Sequence, residues 1–278
     1  RHTLIGNRLE SARVIVLDPR EAMMFWTNWD GGAPKIESCD MSGDSSTRKV
    51  INGGASYKND GGWPNGLAID YVMKRIYWTD ARSNSIHSCF YNGDDKRKTW
   101  QAQKHLTHPF SLTVFENMVY WTDWREMSIV RANKSNGTNI QVVERITTGQ
   151  LSDIRVVHPS RQPGVSRNDP KLRCQKDNAE CSHLCLVSGT PQGYLCACPQ
   201  TMRLLADQKN CVKEDKMLIF SCQNEIRGIS LETKNAKVNT HGKDSSNMSL
   251  QATPTFSLPI ESAHPFNLES ISSTRDIY

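Results

Sequence analysis

Three aspartates and a cluster of cysteines are the residues of this 278-residue chain whose types and spacing could do chemistry. Asp70, Asp80 and Asp123, with eight histidines scattered along the chain, are groups an acid/base mechanism would use. Asp80 and Asp123, however, close the same five-residue pattern. Ile76-Tyr77-Trp78-Thr79-Asp80 returns as Val119-Tyr120-Trp121-Thr122-Asp123 and, altered, as Met24-Phe25-Trp26-Thr27-Asn28. A catalytic group is needed once, whereas an architectural one recurs in every unit. Asp80 and Asp123 are therefore expected to tie neighbouring strands by hydrogen bonds, and no catalytic residue is assigned. No Gly-x-Ser-x-Gly, His-Glu-x-x-His or phosphate-loop motif is present. A hydrolase with metal ligands in a central channel is the minor alternative; no metal site and no cofactor are assigned.

Six of the nine cysteines, Cys174, Cys181, Cys185, Cys196, Cys198 and Cys211, fall within 38 residues, while Cys39, Cys89 and Cys222 stand apart. Such density is typical of secreted modules, because a core of about 40 residues is too small to hold a fold alone. Structural zinc is the weaker reading, since Cys196 and Cys198 are one residue apart and zinc sites favour C-x2-4-C pairs. Six cysteines allow 15 connectivities, and spacing does not choose among them. Cys39 and Cys89 occupy one place in two successive units, where the third has Ala132. A small apolar slot filled by a buried thiol is expected there. Sequons at Asn133, Asn136 and Asn247 fit a secreted glycoprotein.

The elements that must position these residues come in repeated units. Each Trp-centred strand has a partner upstream, at Val14–Asp18, Gly66–Asp70 and Ser111–Phe115, and an isoleucine downstream, Ile36, Ile86 and Ile129. A turn glycine follows (Gly43, Gly93, Gly137), then a β-prone segment such as Arg48–Ile51 or Ile140–Val143. Trp26, Trp78 and Trp121 are 52 and 43 residues apart. A four-stranded unit of that length has the size of a propeller blade. The three tryptophans are expected in the core, and no amphipathic helix of useful length appears.

The Tyr-Trp-Thr-Asp repeats, with Trp63-Pro64-Asn65-Gly66-Leu67-Ala68-Ile69-Asp70, His108-Pro109-Phe110 and Tyr120-Trp121-Thr122-Asp123-Trp124, resemble six-bladed propellers of the low-density-lipoprotein-receptor-related protein family. The resemblance implies an all-β chain: a partial YWTD β-propeller over residues 1–160, a linker over 161–173, an EGF-like module over 174–211, and the opening strands of a second propeller with a Ser/Thr/Asn-rich loop over 216–278. Residues 1–160 read as three full blades with flanking strands around Arg1–Leu9 and Asp153–Val157. A complete ring of this period needs roughly 250 residues, so the N-terminal blades are expected to lie outside the sequence, leaving a sheet edge open. In the cysteine module the resemblance implies the pairs Cys174–Cys185, Cys181–Cys196 and Cys198–Cys211. Ala179-Glu180 departs from the family's usual glycine pair and is expected to alter the local turn. Pro170-Lys171-Leu172-Arg173 offers no side-chain oxygen to calcium.

Trp29, Trp63 and Trp124 lie beyond or between the repeated strands, and loops on a rigid scaffold commonly carry binding. The resemblance places Trp63, Asn65 and Trp124 on the ligand-binding face, with Trp29 as a further candidate, and implies extracellular protein ligands held through short Asn-containing peptide loops. Truncating these loop tryptophans is expected to spare folding. The implied role is an endocytic or signalling receptor segment on the extracellular side of the cell membrane, anchored through segments outside this sequence. Its cargo is left open among lipoproteins, Wnt-pathway ligands, synapse-organising proteins and protease complexes, and a secreted matrix scaffold is the alternative. The formal charge of +5, from 34 basic and 29 acidic residues without long like-charge runs, gives no footprint for nucleic acid.

Overall fold

The computed structural model describes residues 2–6, 9, 11–29, 33–53, 62–101, 105–161, 168–214, 216–221, 225–230 and 256–259. Two compact units emerge, Leu4–Ala197 and Cys198–Tyr278 together with Arg1–Thr3. The first holds three four-stranded antiparallel sheets, each in chain order. Their strands are β1 (Ala12–Asp18), β2 (Met23–Asn28), β3 (Lys35–Asp40) and β4 (Lys49–Gly53); β5 (Pro64–Asp70), β6 (Arg75–Asp80), β7 (Ser85–Phe90) and β8 (Arg97–Gln101); and β9 (Pro109–Phe115), β10 (Met118–Asp123), β11 (Ser128–Asn133) and β12 (Gln141–Arg145). One register repeats: Ile15 faces Trp26, Leu67 faces Trp78 and Leu112 faces Trp121. All three tryptophans are buried.

The sheets stack, and their cores are shared. Phe25 and Ile36 of the first sheet pack with Leu67, Ile69, Ile76 and Trp78 of the second. Ala68, Tyr77 and Ile86 of the second pack with Leu112, Val114 and Trp121 of the third. A middle sheet covered on both faces loses the alternation of a half-exposed one, which is why every residue of β5 and β6 is buried.

Each first strand carries a register shift near its start, opposite the end of the Trp-bearing strand. A bulge frees a backbone amide from its ladder, and the repeated threonine supplies the acceptor. Thr27 Oγ1 accepts from Val14 N at 3.3 Å, Thr79 Oγ1 from Gly66 N at 2.8 Å, and Thr122 Oγ1 from Ser111 N at 3.1 Å. Thr79 also donates to Phe110 O of the next sheet at 2.8 Å, so one buried hydroxyl joins two units. The approach there is close: a Cβ on Gly66 would lie 2.8 Å from Leu112 N and Phe110 O.

The repeated aspartates work beside the threonines. Asp80 Oδ1 accepts from Arg82 N and Ser83 N, closing the turn after β6. Asp123 does the same for Arg125 N and Glu126 N, and also binds Thr107 N, Thr107 Oγ1 and His108 N ahead of β9. A second set of ties runs backwards along the chain. Tyr91, just after β7, donates to Asp18 Oδ2 at 2.8 Å, and Lys134, just after β11, donates to Asp70 Oδ2 at 2.5 Å. Burial, reinforced by the Asp18 carboxylate, pushes the Tyr91 phenol far up. Gly43, Gly93 and Gly137 hold φ values of +78°, +92° and +72° at one repeated turn, a region that side-chain-bearing residues seldom enter.

Two strands expected from the sequence are not formed. Asp153–Val157 belongs to no sheet, and residues 2–6 carry no strand. A β-prone segment becomes a strand only when another backbone completes its hydrogen bonds, and neither segment has that ladder here.

In the cysteine module, β13 (Leu184–Val187) pairs with β14 (Tyr194–Ala197), placing Cys185 opposite Cys196. Cys174 is bonded to Cys185 and Cys181 to Cys196, each with Cα atoms 5.4 Å apart. In the second unit Cys198 is bonded to Cys211, with Cα atoms 5.7 Å apart, beside the β15 (Met202–Leu204) and β16 (Cys211–Lys213) hairpin. The turn before Cys181 takes the conformation that glycines would supply: Ala179 and Glu180 have φ of +51° and +62°. Farther on, β17 (Met217–Ser221), β18 (Glu225–Ser230) and β19 (Phe256–Pro259) form one antiparallel sheet. The last strand lies within the stretch expected as a Ser/Thr/Asn-rich loop; it gains structure from pairing with β18, which local composition does not reveal. Cys222 and Asn247 lie outside the described residues.

Three outcomes test these assignments in the full-length protein. Thr79→Val leaves the Gly66 amide and the Phe110 carbonyl buried without partners, and denaturant unfolding is expected to show a loss of about 2–4 kcal/mol, with Thr79→Ser losing much less. Ala179→Gly relieves a left-handed alanine and is expected to stabilise by about 0.5–1 kcal/mol, the left-handed penalty less the extra entropy of glycine. Cys39 and Cys89 are free and buried, and burial pushes the Cys89 thiol up to about 12. A thiol that ordinarily ionises near pH ~8.5 thus stays protonated in the fold. At pH ~9 neither residue is expected to react with iodoacetamide until denaturant is added, and rising alkalinity favours the unfolded chain.

Candidate ligand-binding rim

Because adjacent strands are antiparallel, the end of each Trp-bearing strand and the start of its first strand share one rim. Trp29 follows β2, Trp63 precedes β5 and Trp124 follows β10. Trp29 and Trp63, from neighbouring units, stack with ring centroids 6.0 Å apart and planes inclined by 25°. The Arg13 guanidinium lies 3.6 Å from the Trp29 ring centroid on its face. Trp63 is 47% exposed, whereas Trp29 and Trp124 are half-buried.

The indole N–H groups explain the difference. Trp29 Nε1 donates to Pro64 O at 2.8 Å, and Trp124 Nε1 donates to Leu151 O at 2.5 Å. Trp29 reaches from the end of one unit to the start of the next, and Trp124 reaches the segment that follows β12. The middle unit has Ala81 at this position, buried and without such a reach. Trp29 and Trp124 therefore serve the fold as well as the surface, and the expectation that their truncation leaves folding untouched holds best for Trp63.

Trp124 is brought together with Phe110 at a 3.9 Å centroid distance and with His108 at 5.8 Å. Trp29 and Trp63 thus form one aromatic group on the rim, and Trp124, Phe110 and His108 another. Asn65 departs from its expected presentation. It sits inside β5, is 6% exposed, and its Oδ1 has no hydrogen-bond donor among the described residues. Arg13, His108 and Phe110 were not singled out as site residues. Aligning the units on Ile15, Leu67 and Leu112 would have found them, since Arg13, Asn65 and Phe110 then share one column and Trp63 and His108 another.

A groove of about 180 Å³ runs along the first strands and is lined by Ile15, Leu17, Ile69, Tyr71 and Arg155. Arg161 closes one side, donating to Ile69 O at 2.9 Å with its guanidinium 4.9 Å from the Tyr71 ring centroid. Among the described residues no three His, Cys, Asp or Glu side chains converge as metal ligands, and no helix is long and apolar enough to cross a membrane. The aspartates that an acid/base mechanism would use are engaged with backbone amides.

Comparison with known proteins matches this arrangement. Residues 23–71 match the family described as low-density lipoprotein receptor repeat class B, and residues 174–211 match the family described as coagulation factor Xa inhibitory site. The vitellogenin receptor Yl of Drosophila melanogaster is 34% identical over 206 residues, which is 73% of this chain and 9% of that receptor's length. Among solved structures, a chain of the nidogen/laminin complex aligns with TM-score 0.46 and 23% identity, over 54% of this chain and 53% of that one. Regucalcin from Agrobacterium tumefaciens aligns with TM-score 0.41 and 10% identity, over 51% and 48%. On the twice-occurring Tyr-Trp-Thr-Asp motif with its altered third copy in the same register, the class B match and the identity to a receptor, the chain belongs to the low-density-lipoprotein-receptor-related family.

Proposed function

We propose that this chain is a ligand-binding segment of a lipoprotein-receptor-related ectodomain, standing on the extracellular side of a membrane to which other parts of the protein anchor it. The observation that carries the reading is Trp63, a large aromatic side chain 47% exposed on a rim whose backbone is fixed by buried hydrogen bonds. Exposed aromatics on rigid elements make binding anchors because little entropy is lost when they are covered. Trp29 backs the anchor and Arg13 adds a cation beside it. The resemblance to receptor-related propellers suits an Asn-containing ligand loop laid against Trp63, while Asn65 is buried and supports the rim from within β5. The identity to a vitellogenin receptor favours a vitellogenin-like protein as ligand.

The test is binding of purified vitellogenin to the parent ectodomain. Trp63→Ala is expected to weaken it by about 2 kcal/mol or more, roughly 30-fold, as truncation of an anchor does, with the melting temperature nearly unchanged. Val72→Ser, at the opposite ends of the strands and 87% exposed, is the control and is expected to bind as the parent does. Unchanged binding by a folded Trp63→Ala protein would sink the rim as the binding face.

A further inference from the structure

We infer that Asn136, and not its neighbouring sequon Asn133, carries an N-linked glycan, on the rim opposite the tryptophans. Both asparagines lie in the connection between β11 and β12, and both sequons are complete: Asn133-Lys134-Ser135 and Asn136-Gly137-Thr138. Their surroundings differ in three ways.

The first is exposure. Asn136 stands in solvent, whereas Asn133 is the half-buried last residue of β11, opposite Met118. A glycan is bulky and polar, and the fold must leave it a path to water.

The second is the backbone. Asn133 is fixed within the end of the hairpin: its N–H donates to Thr138 O, and its carbonyl accepts from Gly137 N, both at 2.9 Å. The next residue is held on both sides, Lys134 N by Asn117 O and Lys134 Nζ by Asp70 Oδ2 of the preceding unit. Asn136 carries no such restraint on its backbone among the described residues.

The third is the geometry of the acceptor amide. Thr138 Oγ1 donates to Asn136 Oδ1 at 2.8 Å, and Thr138 N donates to the same oxygen at 3.1 Å. Both bonds fall on the amide oxygen, so Nδ2 of this exposed asparagine carries no hydrogen bond among the described residues. Asn133 Oδ1 accepts from Ser135 N at 2.9 Å but not from the Ser135 hydroxyl. Gly137, at φ +72°, is what lets the chain turn tightly enough for the Asn136 arrangement.

The transfer balances with a lipid-linked oligosaccharide pyrophosphate as donor. Asn136 Nδ2 forms a C–N bond to the anomeric carbon, the bond from that carbon to the pyrophosphate oxygen breaks, the lipid pyrophosphate leaves, and Nδ2 gives up one proton. The three disulfides place the chain in a compartment where such donors are used. The position also has a functional bearing. Asn133 faces Met118 at one end of the β10–β11 pair, while Asp123 faces Ser128 at the other, the end that leads to Trp124. A glycan on Asn136 therefore leaves the tryptophan rim clear.

The experiment is peptide mapping of the full-length parent secreted or displayed by animal cells. Trypsin cuts after Lys134 and so separates the two asparagines. Release of glycans by an N-glycosidase in heavy-oxygen water converts each formerly occupied asparagine into a heavy aspartate. The label is expected on Asn136 in most copies and absent from Asn133; Asn136→Gln is expected to remove one glycan's mass from the protein, and Asn133→Gln none. Label on Asn133, alone or together with Asn136, would overturn the choice between them. An unlabelled Asn136 would overturn the site. Recovery of the Cys174–Cys185 bridge in the same digest shows that the chain entered the secretory pathway, so a bare Asn136 is then a failure of this proposal and not of the extracellular reading.

Discussion

The architecture hangs on one hydroxyl per unit. Where the first strand of a sheet bulges, an amide is freed, buried in the second and third units and partly buried in the first, and a buried amide without an acceptor costs about 1–3 kcal/mol. Threonine meets that demand from the neighbouring strand, and in the middle unit its proton goes on to a carbonyl of the following sheet. The bulge sets where the first strand bends, the bend sets how closely the next sheet approaches, and at Gly66 the approach leaves no room for a Cβ. Serine could make the same bonds, but the β-branched threonine is held in few rotamers and suits a strand. The adjoining aspartate then orders the turns on either side, so the rim that carries Trp29, Trp63 and Trp124 is built on a backbone whose polar groups are satisfied.

Much of this was legible in the residues because it is periodic. Trp26, Trp78 and Trp121 mark the second strand of each unit, their upstream partners sit in a constant register, and Cys39, Cys89 and Ala132 fill one slot where only small side chains fit. Repetition also separated architecture from chemistry, since Asp80 and Asp123 do the same work twice. What was less legible depends on partners distant in sequence. Asp153–Val157 has strand composition but no ladder, and Phe256–Pro259 has a ladder that its surroundings do not announce. On the rim, loop position alone could not show that Trp29 and Trp124 lend their indole N–H groups to backbone farther along the chain while Trp63, among the described residues, does not. Nor could it show that Asn65 is buried, because a residue two places from an exposed tryptophan reads as surface until the bulge is located.

The cysteine module is stabilised on different terms. Its pairs of strands are too short to shelter a core, and its bridges limit the unfolded chain instead of packing the folded one. That leaves it tolerant of local strain that a propeller sheet would not absorb. Ala179 and Glu180 occupy a left-handed turn without the benefit of glycine, held by the neighbouring Cys181–Cys196 bridge and by Asn178 Nδ2, which donates to Cys181 O and His183 O. The module is also fastened to the first sheet, where Asp40 Oδ2 accepts from Gly189 N at 2.6 Å.

The backward ties between units carry information about order. Tyr91 finds Asp18 and Lys134 finds Asp70, always from the end of a third strand to the end of the preceding unit's first strand. At the place where Asp18 and Asp70 stand, the third unit has Phe115, which meets the His158 ring edge-on at a 5.1 Å centroid distance. A unit bearing the lysine could follow one ending in aspartate, but set behind Phe115 it would bury an ammonium group against an aromatic edge with no carboxylate to receive it. Units that look interchangeable by their shared motif are thus keyed to their neighbours, like links that fit in one sequence only. Exon duplication could lengthen such an array, but shuffling its units would be resisted by the chemistry at each joint.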